Sequence, residues 1–173
     1  MAWDERSLGP KHLAADLKWE PQRTNNFQVE IYGLPGQGTE MIMLALSEFS
    51  LPTIQNDPYR VKHGNTEVKF AGVTEWSGSE SLRVNDYVTT DISAIISNWR
   101  ELVYNSQTDA IGWAANYKKA ASVFEAGPDG TFHREWKYEG VWPSGVEYGE
   151  LSHESPELRK INVTLQYDRA YRA

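Results

Sequence analysis

The fold is decided by residues 67–104, with the sequence EVKFAGVTEWSGSESLRVNDYVTTDISAIISNWRELVY. Polar and apolar residues alternate over Glu67–Phe70 and again over Leu82–Asn85, and this period of two is typical of strands with one buried face. Between them, Ala71–Glu80 contains two glycines and several small polar residues, which predict a reversal of the chain. The sequence therefore predicts a long two-stranded hairpin.

The spacing of apolar residues changes after this hairpin to that of one helical face. Thr90 or Asp91 is placed to cap the first helical turn. Burying an apolar side chain yields about 1.5–3 kcal/mol, whereas ordering one residue costs about 1–2 kcal/mol, so the helix has to pack across a sheet. Its predicted anchor residues are Ile92, Ile95, Ile96, Trp99 and Val103.

More strands are needed, because a lone hairpin is marginally stable in water. The predicted strands are Asn26–Tyr32, Met41–Leu46, Ala120–Glu125, Phe132–Glu139 and Lys160–Tyr167, with a break at Gly140–Pro143. Met41–Leu46 is apolar on both faces, so we expect it to be covered on both sides. The pattern predicts a mainly β protein: two packed antiparallel sheets, as in a β-sandwich or partial barrel, with one flanking α-helix.

The chain length suits a single domain. We expect a polar N-terminal arm at residues 1–25 and one folded domain at residues 26–173. The arm lacks the apolar core of a signal peptide, and no apolar run approaches the roughly 20 residues of a membrane span. Thr53–Gly64 is predicted to be an exposed loop that is longer than the usual connection, and such loops commonly carry function.

Composition and motifs give no support to an enzyme, a cofactor or a metal site. The chain has no cysteine, which excludes disulfides and thiolate ligands, and its formal net charge of −7 disfavours a protein that grips nucleic acid. His12, His63, His133 and His153 lack metal-ligand spacing, no serine lies in a Gly-x-Ser-x-Gly motif, and Gly33–Gly38 lacks the ending of a phosphate-binding loop. Unpaired strand edges instead favour assembly, and a head-to-tail contact that closes makes a ring.

Several segments follow one another with a characteristic order and spacing. They are Arg23–Ile31, Leu51-Pro52, Val68–Gly72, Trp76–Val84, the helix with Trp99, Tyr117–Ala121, Gly140–Pro143 and the final alternating strand. Over these segments, the chain from about Arg23 to its end resembles the tail tube proteins of contractile-tailed bacteriophages, a family related to the secreted tube protein of type VI systems.

The resemblance implies a structural virion protein. Six copies would close a hexameric ring, and four strands from each would form an inner β-barrel of about 24 strands, wider than the water-filled porins of 16–18 strands. Stacked rings would make the inner tail tube, the conduit for DNA ejection within a contractile sheath. The acidic composition suits a conduit, because basic walls would hold the DNA.

The resemblance also implies partners and site residues. The partners would be further copies of the chain, the tail sheath protein, baseplate or tail-initiator and tail-terminator proteins, the tape measure protein, and double-stranded DNA that passes without specific binding, but no membrane. The tube would belong to the virion after assembly in the host cytoplasm. Residues expected to join stacked rings are Thr53, Asn56, Asp57, Tyr59, Arg60 and Lys62, and residues expected to face the sheath are Ser93, Ser97 and Arg100.

Two alternatives stay open. The chain suits a tube component of a phage-derived secretion or injection system that carries protein, since one subunit's sequence hardly distinguishes the payload. Seven tryptophans and nine tyrosines also suit a carbohydrate-binding module, with Trp136 and Trp142 as candidate sugar-binding residues.

Overall fold

A computed structural model of the protein describes residues 20–36, 38–76, 78–154 and 156–173. Of the predicted arm, residues 1–19 lie outside the described residues. The described helices are α1 (Gly38–Ala45), α2 (Ile92–Val103) and α3 (Ala114–Tyr117). The described strands are β1 (Phe27–Ile31), β2 (Leu46–Phe49), β3 (Ile54–His63), β4 (Thr66–Trp76), β5 (Ser79–Asn85), β6 (Tyr104–Asn105), β7 (Ala110–Ile111), β8 (Lys119–Ala126), β9 (Phe132–Glu147), β10 (Lys160–Gln166) and β11 (Arg169–Arg172). No helix in these ranges is long and apolar enough to cross a membrane.

Seven strands form one antiparallel sheet in the order β1-β8-β9-β10-β5-β2, with β11 beside β9. The first part of β9 pairs with β8 and β11, and its second part, residues 142–147, pairs with β10. Near the end of the first part lies Gly140, at a φ of 70°, where a Cβ would collide with the carboxylate of Asp168. We call β1, β8, β11 and the first part of β9 the first sheet, and β2, β5, β10 and residues 142–147 the second sheet.

The two sheets enclose one hydrophobic core. Tyr138 of the first sheet meets Phe49 of the second sheet edge-on, with ring centroids 5.7 Å apart. Helices α1 and α2 bury Ile42, Ile96 and Trp99 in the same core. A mainly β fold with antiparallel sheets is therefore confirmed. The described strands of a single copy do not close into a barrel, and α1 and α3 accompany the one helix that was predicted.

The predicted helix is confirmed as α2. Its N-cap is Asp91, whose side-chain Oδ1 accepts a hydrogen bond of 2.8 Å from the Ala94 amide. The anchor residues Ile92, Ile96 and Trp99 are fully buried, while Ile95 and Val103 are half-buried. The start of α2 therefore follows from its capping residue, and its buried face follows from the apolar spacing.

The predicted hairpin between Glu67–Phe70 and Leu82–Asn85 is wrong. Thr66–Trp76 continues as one strand through residues 71–76 of the predicted turn and pairs with Ile54–His63, which lies in the segment predicted to be a loop. The glycine at position 72 does not mark a turn: a Cβ there would collide with the backbone oxygen of Asp57, which lies at a β-bulge. Strand β5 instead pairs with β2 and β10.

The predicted strand Met41–Leu46 is also wrong, because most of it belongs to helix α1. Ile42 and Ala45 face the core, whereas Leu44 is exposed, so only one side of this apolar run is buried. A short apolar run fits a strand or a helix equally well, and its period does not decide between them.

The strands predicted at Asn26–Tyr32, Ala120–Glu125 and Lys160–Tyr167 are confirmed as β1, β8 and β10. The predicted break at Gly140–Pro143 is wrong, since β9 continues through it from one sheet into the other. The sequence patterns also missed β11, which adds Arg169–Arg172 to the first sheet.

Candidate assembly surface

A two-stranded ribbon leaves the body of the protein as an extension of the second sheet. Strands β2 and β5 pair up to Phe49 opposite Leu82, and the Ser50 amide then donates to the Ser81 carbonyl at 3.1 Å. The pairing resumes with Ile54 opposite Trp76. We call Ile54–Trp76 the projecting ribbon. Its shorter strand, β3, has 10 residues, which corresponds to about 33 Å at about 3.3 Å per residue.

Both sides of the projecting ribbon face solvent in a single copy. Every residue of β3 is exposed, as is every residue of β4 before Trp76. The ribbon turns at Gly64-Asn65, a two-residue connection of a kind that favours tight hairpins. Since an isolated hairpin is marginally stable, this exposure indicates a surface that is completed by another molecule.

The outer part of the ribbon has one apolar and one charged face. Tyr59 pairs with Phe70 and Val61 with Val68, which places these four side chains together on the apolar face. Their exposed fractions are 65% for Tyr59, 40% for Val61, 48% for Val68 and 55% for Phe70. A surface this apolar on an exposed element is typical of an interaction site.

The opposite, charged face is mostly basic. Arg60 pairs with Lys69 and Lys62 with Glu67, so three cations share this face with one carboxylate. Arg60 Nε lies 3.6 Å from Glu67 Oε1. The outer ribbon therefore carries positive charge on a chain whose formal net charge is −7.

The residues predicted to join stacked rings all lie in or directly before β3, and all are exposed. They do not share one face, because Tyr59 lies on the apolar face while Arg60 and Lys62 lie on the charged face. Sequence reasoning missed the other apolar residues of the ribbon, Val61, Val68 and Phe70. The signal that identifies them is the Gly-Asn turn flanked by alternating residues. The contact between rings stays a prediction.

A row of polar side chains crosses the solvent face of the second sheet. Arg83 Nη1 donates to Glu48 Oε2 at 2.6 Å, and Arg83 Nε donates to Asn162 Oδ1 at 2.7 Å. Asn162 Nδ2 donates to Glu147 Oε2 at 3.4 Å, so the row joins all four strands of this sheet. The neighbouring pair of Ser81 and Thr164 on the same face is uncharged. This face is exposed to solvent, and its arginine, Arg83, is paired with the carboxylate of Glu48 and the amide of Asn162.

A buried polar cluster lies under the root of the ribbon. Glu80 is buried and accepts a hydrogen bond of 3.1 Å from the Tyr167 hydroxyl. Tyr138 packs edge-on against Tyr167 at 5.3 Å, and burial, followed by the charge of Glu80, raises the pKa of Tyr138. The cluster ties β5, from which the ribbon emerges, to β9 and to the end of β10.

The exposed side of α2 was predicted to face a sheath. Ser93, Ser97 and Arg100 are half-buried, and the most exposed line on the helix is one position further along: Ala94, Asn98 and Glu101. Trp99 Nε1 donates to the Tyr117 carbonyl at 2.9 Å, which fixes the helix against α3. The contact with a sheath stays a prediction for these three residues.

The tryptophans considered for sugar binding are engaged within the chain. Trp136 is half-buried and donates from Nε1 to Glu125 Oε1 at 3.1 Å, and Trp142 packs edge-on against Tyr117 at 5.8 Å. Among the described residues, no group of three His, Cys, Asp or Glu side chains is placed to hold a metal ion.

No protein-family model matches the chain, and no curated protein matches it in sequence. Solved structures do match its fold. A chain from the sheath/tube terminator of an extracellular contractile injection system, PVC, in the extended state is 17% identical with a TM-score of 0.65, covering 88% of this chain and 96% of its own length. A chain from the PVC sheath-tube complex in the extended state is 16% identical with a TM-score of 0.63, covering 96% and 99%. A chain from the 6-fold symmetrised baseplate of the anti-feeding prophage is 12% identical with a TM-score of 0.65, covering 88% and 95%.

At these identities the likeness establishes the fold. It covers nearly the full length of the matching chains, so the shared unit is the whole body rather than a fragment. The predicted resemblance to contractile tail tube proteins is therefore confirmed at the level of the fold, which this protein shares with components of contractile injection systems.

Proposed function

We propose that this protein is a structural, non-enzymatic tube subunit that closes into a hexameric ring, and that these rings stack into the hollow inner tube of a contractile apparatus. The projecting ribbon carries the proposal, because its apolar face is uncovered in a single copy. A ring of six is supported by the 6-fold symmetrised baseplate that contains a chain of this fold.

The energetics of the ribbon favour contact between whole rings over contact between single subunits. Full burial of a large apolar side chain yields about 1.5–3 kcal/mol, and the four residues of the apolar face are about half exposed, so a partner adds about 1 kcal/mol from each. About 4 kcal/mol does not offset the cost of associating two free molecules. When two rings dock, the cost of association is incurred once for all six ribbons, so the combined contact is stable.

The ribbon also extends in the direction in which a second ring would stack. It continues two strands of the second sheet past the end of the body, so it reaches beyond the ring that this sheet would line. We assign the contact between rings to this ribbon, including the predicted residues Thr53, Asn56, Asp57, Tyr59, Arg60 and Lys62.

The second sheet is the candidate wall of the channel. Its solvent face is polar, and it supplies four strands, so six copies would give an inner barrel of about 24 strands. Arg83 is held by Glu48 and Asn162, so it has little charge left to trap a phosphate backbone. We expect a wall with one paired arginine and one exposed lysine, Lys160, to let a charged cargo slide.

The outer partners follow from the same arrangement. The tube would contact a sheath through α2, with Ser93, Ser97 and Arg100 beside the exposed line, and would end on a baseplate or initiator and a terminator, with a tape measure protein inside. In a phage, the particle would assemble in the host cytoplasm and eject DNA from the virion. A protein-carrying injection system is the second candidate, favoured because the matching structures come from an extracellular contractile injection system.

Electron microscopy of the purified chain tests the proposal. We expect six-fold rings or stacks in negative stain and a hexamer by sedimentation velocity, with longer tubes after addition of baseplate proteins. A chain that stays monomeric at every concentration, with and without those proteins, would overturn the proposal. Particles purified from the source then separate the two payloads, since nuclease-protected DNA indicates a phage tail and a protein cargo indicates an injection system.

A further inference from the structure

On the basis of the proposed function, we infer which surface receives the projecting ribbon. The ribbon of one ring docks on the opposite end of a copy in the adjacent ring. There, its aromatic pair enters an apolar groove, and its lysines face an acidic loop. The occupant of the groove is therefore a second copy of this chain.

The apolar groove opens at the end of the body opposite the ribbon. Helix α1 ends at Ala45, and β2 then begins with Leu46 opposite Val84, at the far end of β5 from its junction with the ribbon. Leu44 is 77% exposed there in a single copy. A cavity of about 150 Å³ already accommodates a benzene molecule, so this groove of about 260 Å³ has room for an aromatic ring. Its lining residues are Met41, Leu44, Ala45, Tyr87, Thr90 and Ile92.

The acidic loop borders this groove. It comprises residues 148–154 and 156–159, between the end of β9 and the start of β10. The Asp86 amide donates to the Arg159 carbonyl at 3.0 Å, which holds the loop beside Tyr87 of the groove. Arg159 is itself paired with Asp86 at 3.4 Å. In the described part of the chain, no ion pair involves the exposed carboxylates of Glu150, Glu154 and Glu157.

The outer ribbon carries the complementary combination of groups. Tyr59 and Phe70 form a cross-strand aromatic pair on its apolar face. Lys62 and Lys69 lie on its charged face and have no ion-pair partner among the described residues. One end of the protein therefore has exposed rings beside unpaired ammonium groups, and the other has an open apolar groove beside unpaired carboxylates. Such charges select which surfaces meet more than they strengthen the contact.

The polarity of a stack brings these two ends together. A head-to-tail contact that is repeated without closing gives an open stack in which every ring has the same orientation. The ribbon end of each ring then faces the groove end of the next ring. Tyr59 lies five residues beyond Ile54, about 17 Å past the root of the ribbon, which carries the aromatic pair towards the adjacent ring.

Two charge-inverted variants test this contact when they are mixed. The first variant, Lys62→Glu with Lys69→Glu, makes the ribbon acidic. The second variant makes the loop basic through Glu150→Lys, Glu154→Lys and Glu157→Lys. Within either variant the ribbon and the loop carry like charge, so rings of each variant alone are expected to stack about tenfold more weakly than wild-type rings.

In an equal mixture, each ribbon can meet a loop of opposite charge on a ring of the other variant. We therefore expect stacking to return to the wild-type level, with the two kinds of ring alternating along the tube. Sedimentation velocity and negative-stain microscopy measure the stacking of each variant and of the mixture. Circular dichroism checks that each variant keeps the fold.

A second pair of variants tests the groove. Leu44→Ser removes an apolar side chain from its lining, and Leu44→Met, which keeps the groove apolar, is the matched control. We expect intact rings from both variants, with weaker stacking from Leu44→Ser alone.

The results separate the docking site from the proposed tube. If wild-type rings stack, then wild-type stacking from Leu44→Ser, or no recovery of stacking in the mixture, would overturn the docking site and leave the tube intact. Absence of rings in the wild-type chain would overturn the proposed function, and the docking site with it.

Discussion

Replacing Phe70 on the apolar face of the ribbon tests how rings stack. The side chain is 55% exposed, so a partner that buries the exposed half gains about 1 kcal/mol. Phe70→Ser removes this gain from each ribbon, and six ribbons per contact lose about 6 kcal/mol together. We therefore expect separate rings at concentrations where the wild-type chain forms stacks.

The matched control is Lys69→Ser, which changes the adjacent residue on the charged face. Sedimentation velocity and negative-stain microscopy measure stacking, and thermal melting followed by circular dichroism measures the fold. Exposed substitutions shift stability by about 0.5 kcal/mol at most, so both variants should melt close to the wild-type chain. Normal stacks from Phe70→Ser, or weaker stacking from Lys69→Ser than from Phe70→Ser, would refute the assignment of the apolar face.

Two further predictions concern the body of the protein. Trp99→Phe removes the hydrogen bond to the Tyr117 carbonyl but keeps most of the packing, so the free energy of unfolding measured in urea should fall by about 1–2 kcal/mol. Trp99→Ala also removes the packing and should lower it by about 3–5 kcal/mol. Equal losses for the two variants would contradict the anchor role. Burial raises the pKa of Tyr138 in the folded state, so above pH 10 this tyrosine ionises in the unfolded chain before it does so in the folded protein. Its contribution to the free energy of unfolding is therefore fully present below the unfolded pKa of about 10 and falls by about 1.4 kcal/mol per pH unit above it. Tyr138→Phe should flatten this alkaline loss of stability, and an unchanged slope in urea titrations above pH 10 would contradict it.

The helix could be predicted because its determinants are local. The apolar spacing from Ile92 to Val103 and the cap at Asp91 lie within one segment, so no partner has to be known. The strands β1 and β10 were recognisable for the same reason, since alternation is a property of each strand alone.

The pairing of strands could not be predicted from alternation. Glu67–Phe70 alternates whether its partner is Leu82–Asn85 or the strand before it, and only the Gly64-Asn65 turn distinguishes the two. Gly72 suggested a turn because its actual cause, the close approach of the Asp57 carbonyl, is a tertiary contact. Pro58 lies at the same β-bulge as Asp57, where a strand with a free edge tolerates proline.

The segment predicted to join stacked rings lies in the projecting ribbon, but its predicted form, a loop, is wrong, and the contact itself stays a prediction. The predicted loop Thr53–Gly64 is half of the ribbon, and its charged residues were identified. The apolar face needs the register between β3 and β4, because Val68 and Phe70 belong to a strand that had been assigned to another hairpin. That register is fixed by the fold and is not visible in either strand alone.

The continuity between the ribbon and the second sheet has a mechanical consequence. A pull on the ribbon tip passes along the backbone into β5, which lies between β2 and β10. Ladder hydrogen bonds run perpendicular to the strands, so such a pull shears many of them at once instead of opening them one by one. In the proposed tube, the ribbon assigned to the contact between successive rings would therefore be anchored in the direction that best resists extraction.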